Sequence, residues 1–144
     1  MAGICERIKE QRTVGHTTCA LFHGADVLAR KERLKRLGYR DIPEHFWVTA
    51  TRDEALNIVT GCLARDLAYE QEVMPADQAR ELATAFLANF DDNARFLTNS
   101  RRFLTDSPPD AAYGWEPISH ATFDTGVLVE ANGVIGIVWV EDED

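Results

Sequence analysis

The residues of this chain best equipped for chemistry are four histidines, three cysteines and a block of acids at positions 141–144. Glu141, Asp142, Glu143 and Asp144 follow directly on the apolar run 134–140. Carboxylates at that density can hold a hard cation, meet a basic partner, or simply end a strand in water. The cation is the weakest of the three. Consecutive acids make poor cages, and no D-x-D-x-D-G loop occurs. His16, His23, His45 and His120 fall in no H-E-x-x-H or C2H2 spacing. His16 and Cys19 are three apart on an extended segment, which sends their side chains to opposite faces. No metal and no cofactor is therefore expected. Ser100, Ser107 and Ser119 lie in no G-x-S-x-G, and there is no Walker or G-x-G-x-x-G loop. Cys5, Cys19 and Cys62 form no CxxC pair and are odd in number. They are expected to be free thiols packed as small hydrophobes in a reducing compartment.

The elements that must position these residues follow from periodicity. Ile4 and Ile8, four apart, predict a short helix over 3–12. The segment 16–22, HTTCALF, reads as a buried strand between Gly15 and Gly24. Asp26 stands where a helix N-cap belongs, and Val27, Leu34 and Leu37 share a face that Gly38 ends. That helix, 26–37, is basic on its other faces through Arg30, Lys31, Arg33, Lys35 and Arg36. A second strand is expected at 45–50. Thr51 and Glu54 form a capping box for a long helix, with Leu56, Val59, Leu63 and Leu67 on one stripe and Asp66 alongside Arg65. Pro75 suits the first turn of the next helix, where Ala79, Leu82, Ala83, Phe86, Leu87 and Phe90 make a wide core-facing stripe. A third short strand is expected at 94–98 and a long loop at 99–118.

Asn132-Gly133 is the preferred pair for a type I′ turn, so the chain should finish in a hairpin. Its register pairs Ala131 with Val134, Val129 with Gly136, Gly126 with Trp139 and Asp124 with Glu141. Like charges directly opposite are destabilising, so Asp124 and Glu141 need relief from water, a cation or a basic partner. The plainest expectation is a ladder that ends at Val140, with the acids fraying into solvent. Two strands joined by a helix suggest a parallel pair, to which the hairpin adds antiparallel strands. The whole reads as an α/β (or α+β) domain spanning 1–144, with a mixed sheet of about five strands and helices packed on it.

Net charge is −9 and unevenly spread. Residues 1–40 hold nine Lys/Arg against four Asp/Glu, and residues 41–144 hold six against twenty. Such an excess repels nucleic-acid phosphates and attracts basic proteins. The longest apolar run, seven residues near Val134, is far short of the roughly 20 that span a bilayer. The charged N-terminal segment lacks the apolar run of a signal peptide. A cytoplasmic location is expected. In size, acidity and lack of catalytic motifs the chain is similar to bacterial immunity proteins, which cap a toxin's active cleft; no residue motif carries that likeness. It implies a basic protein partner with a positive site that acidic groups can meet. The partner surface expected here is Asp124 with Glu141, Asp142, Glu143 and Asp144, and Tyr113 and Trp115 as aromatic anchors. The alternative is a small enzyme whose site assembles from Asp124, Glu141, His120 and Cys19.

Overall fold

The computed structural model describes residues 3–104 and 116–143. In chain order the elements are α1 (Ile4–Gln11), β1 (His16–His23), α2 (Arg30–Arg36), β2 (Val48–Ala50), α3 (Arg52–Ala64), α4 (Ala76–Leu87), β3 (Arg95–Thr98), β4 (Phe123–Ala131) and β5 (Val134–Asp142). Short 3-10 turns, Gly24–Asp26 and Glu44–Phe46, precede α2 and β2. Four helices and one five-stranded sheet make an α+β fold. Most of the expected loop 99–118 lies outside the described residues.

Several elements form for the local reasons their residues suggest. Thr51 Oγ accepts from the Glu54 N–H while Glu54 accepts from the Thr51 N–H, closing the capping box of α3. The stripe of α4 is buried from Ala79 to Phe90. Asp26 is not a helix cap. It belongs to a 3-10 turn, and α2 starts four residues later behind Ala29. At the other end of α2, Tyr39 N–H bonds Leu34 C=O and Gly38 N–H bonds Lys35 C=O, a Schellman ending. The long helix α3 ends at Ala64, so Asp66 lies beyond it, in a turn where it accepts from the Tyr69 N–H.

The sheet runs β1-β5-β4-β3-β2, and every neighbouring pair is antiparallel. Fold class and strand number are as expected, but the parallel pair that would have made the sheet mixed is not there. β1 and β2 are the two edges, with the other three strands between them. The physical reason is the hairpin. Val134 to Val140 are all buried, so β5 needs cover on both faces as well as a strand on each side. One face of the sheet carries α1, α3 and α4, with Ile8, Ile58, Phe86 and Val138 in one core. The opposite face carries α2 and the segment after it, with Leu34, Trp47, Ile118 and Trp139 in a second core. Trp47 and Trp139 meet edge to face at 6.1 Å.

The hairpin has the register that Asn132-Gly133 predicts, from Ala131–Val134 through Val129–Gly136 to Asp124–Glu141. Gly133 has φ +77°. The ladder does not stop at Val140. It continues to a Phe123–Asp142 pair, and β1 adds a His16–Glu141 pair on the other side. The end of β5 is therefore held from both flanks rather than frayed.

Candidate functional site

Strand alternation divides the terminal acids between the two faces. Asp142 points to the side covered by α1, α3 and α4 and is 2% exposed. Arg12, in the link between α1 and β1, meets it with two parallel bonds, Nη1 to Oδ1 at 3.0 Å and Nη2 to Oδ2 at 2.8 Å. The same guanidinium donates to the carbonyls of Cys62, Val14 and Arg65, so all five of its N–H groups are occupied. Leu67 N–H adds a third donor to Asp142 at 2.8 Å. A paired, fully hydrogen-bonded ion pair of this kind is what a buried charge requires. It ties the end of β5 to the start of β1 and to the chain leaving α3. Gly15 makes room for it: with φ +66°, its position would put a Cβ against the Asp142 carboxylate and 2.5 Å from the Glu141 carbonyl.

Asp124 is also 2% exposed, on the opposite face. Its carboxylate accepts from Ser119 Oγ at 2.6 Å, Asn99 Nδ2 at 2.9 Å, Ser119 N at 3.0 Å, Trp139 Nε1 at 3.2 Å and Ile118 N at 3.3 Å. These donors are all neutral, and they pin the segment before β4 onto the sheet.

Glu141 lies between these two carboxylates in the sheet and is half-buried. It accepts from Tyr39 Oη at 2.9 Å, and His16 Nε2 stands 3.8 Å away. Burial first, and then the neighbouring Glu141 charge, push the Tyr39 phenol well above its ordinary value, which keeps it a donor; its contact with Thr18 acts the other way. Glu143 is exposed and accepts from the backbone and hydroxyl of Thr122. Gly15, His16, Gly38, Ser119, His120, Ala121, Glu141 and Glu143 line an open cleft of about 450 Å³. His16 and His120 are exposed at its rim.

The structure thus brings together Glu141, Glu143, His16 and His120, and takes Asp124 and Asp142 out of reach. The expectation of one continuous acidic surface is corrected on those two residues, because the repulsion between facing carboxylates is relieved by internal donors. Tyr113, Trp115 and Asp144 lie outside the described residues. Cys19 is on the far face of β1 from His16 and belongs to the other core, so the enzyme constellation that included it is not assembled. The basic helix is largely engaged too. Arg30 pairs with Glu44 and Glu130, Arg36 with Glu32, and Arg33 is buried over the Phe22 ring.

Sequence reasoning missed Tyr39 and Ser119 as parts of this end, since each reaches it through contacts distant in the chain. It also missed Tyr69. That side chain is 63% exposed and lies two residues beyond Leu67, whose N–H holds Asp142. Its sequence signal is an aromatic inside a polar turn, between Asp66 and Glu72. Among the described residues, no group of three or more His, Cys, Asp or Glu is placed to hold a metal ion, and no helix is long and apolar enough to cross a membrane. Comparison with family models, curated proteins and solved structures gives no match for this chain.

Proposed function

We propose that this chain is a cytoplasmic binding protein for a basic protein partner, of the immunity type that caps a toxin's positive site, with its cleft at the end of the sheet as the contact. The observation that carries the reading is the placing of Glu141 and Glu143 along an open cleft, at the end of a strand held from both sides. A strand already ordered loses little conformational entropy when a partner arrives. The excess of acids over residues 41–144 adds a long-range field of the right sign for a basic surface.

The test uses the full chain and its Glu141→Gln/Glu143→Gln variant as baits in an extract of the source cell. The reading expects one basic protein at near-equal stoichiometry on the unaltered chain. With that protein purified, the variant should associate on the order of tenfold more slowly at low salt, and the gap should close as salt rises. Equal association rates at low salt would remove the cleft acids from the interface.

A further inference from the structure

β1 and β2 close the two sides of the sheet, each with a single strand neighbour. β2 is three residues long, and brevity is one of the ways an edge is kept from pairing further. β1 has no such protection. It is eight residues long, contains no Lys, Arg, Pro, Asp or Glu, and pairs with β5 in one unbroken register, without a bulge. The direction of its main-chain groups follows from the hairpin. Ala131 and Val134 close a two-residue turn and so exchange both hydrogen bonds; alternation then turns the even residues of β5 to β4 and the odd ones to β1. Their partners in β1 are His16, Thr18, Ala20 and Phe22. The bond from Gly24 N–H to the Gly133 carbonyl continues the same series. Thr17, Cys19, Leu21 and His23 therefore turn N–H and C=O outward, and among the described residues nothing bonds those groups. Thr17 Oγ is buried at the same edge and has no hydrogen-bond partner either.

We propose that β1 is a self-association edge, at which two copies of this chain pair β1 to β1 antiparallel across a twofold axis and join two five-stranded sheets into one. A second copy is the occupant that the residues fit. In an antiparallel pair opposed residues share a face, and outward-turned groups must meet outward-turned groups. The register with Ala20 on the axis meets both conditions and opposes all four outward-turned residues. It sets Thr17 against His23 of the second copy and Cys19 against Leu21 of the second copy. On the other face Thr18 stands against Phe22 of the second copy, and the small Ala20 side chains meet at the axis. His23 of the second copy brings a ring nitrogen to the side of Thr17, whose hydroxyl has no partner within one chain. A charged strand would set its charges against an edge that has none, whereas β1 brings only its own uncharged residues. The contact is isologous, so it closes at two copies and leaves the short β2 as the outer strand on both sides. His16, at the cleft, lies outside the paired span 17–23.

The experiment follows the purified full chain by sedimentation from about 1 to 300 μM, and by amide hydrogen exchange read residue by residue at both ends of that range. The expected mass rises toward twice that of one chain. In the same range the Thr17, Cys19, Leu21 and His23 amides should slow by about tenfold or more, while Thr18, Ala20 and Phe22, already bonded to β5, exchange alike at both ends. Ala20→Lys sets two like charges together at the axis and should weaken association about tenfold or more. Its urea unfolding, run alongside, shows whether the fold is kept. One-chain mass throughout the range would overturn the assignment, as would a dimer whose outward amides exchange at the one-chain rate. A folded Ala20→Lys that associates as the unaltered chain does would overturn it as well; if that variant unfolds, the exchange pattern of the unaltered chain decides. Two copies each carry a net charge of −9, so salt should strengthen this contact and weaken that of the cleft with a basic partner. Glu141→Gln/Glu143→Gln should still associate, so loss of the cleft reading and loss of this one are separate results.

Discussion

Glu141 and Asp142 are consecutive in the chain and opposite in circumstance. Asp142 turns toward the face covered by α1, α3 and α4 and is sealed there by Arg12 and Leu67 N–H. Glu141 turns toward the other face, where a phenol and a histidine meet it at the edge of an open cleft. Across the sheet from Glu141, Asp124 is sealed as well, by neutral donors in place of a guanidinium. A run of acids is thus no unit of function. Alternation along a strand assigns each carboxylate its own surroundings, and only those turned to solvent are available to a partner.

The comparison can be broken most severely at Arg12. Arg12→Met leaves Asp142 buried without its counter-charge and should cost about 3–5 kcal/mol in urea unfolding, whereas Arg12→Met with Asp142→Leu should recover much of it. A loss no larger than that of a surface substitution would show that the pair is not closed off. Asp124→Asn should come next, at about 2–3 kcal/mol, because the amide presents N–H groups to donors already facing it. Gly15→Ala should cost about 2 kcal/mol, since positive φ and the crowding by Asp142 act together. Gly133 also has positive φ but open space around it, so Gly133→Val tests conformation alone and should cost about 1 kcal/mol or a little more. Reversal of that order would mean that the Gly15 contact with Asp142 is loose.

The same contrast explains what could be read from the sequence. The hairpin register, the Thr51–Glu54 box and the α4 stripe depend on residues within a few positions of one another, and local patterns encode them. Strand order does not. The expected β1–β2 parallel pair failed because nothing near either strand records that β5 outcompetes one for the other. Arg12 and Asp142 are 130 residues apart, and no spacing rule joins them. The repulsion between Asp124 and Glu141 was legible from the register, but its relief was not: Asn99, Ile118 and Tyr39 reach these acids only once the second core has formed. Of those acids, Glu141 and Glu143 line the open cleft, while Asp124 and Asp142 are buried among internal donors.

The most direct test of this division is urea unfolding of three single variants, Asp142→Asn, Glu141→Gln and Glu143→Gln, in one buffer. The account predicts a loss of about 3 kcal/mol for the first, because an amide there strips Arg12 of its counter-charge. It predicts at most about 1 kcal/mol for each of the others. The amide oxygen introduced by Glu141→Gln can still accept from Tyr39, and the exposed Glu143 contributes little. Equal small losses at all three positions would contradict the account, because they would mean that Asp142 is as free as its neighbours.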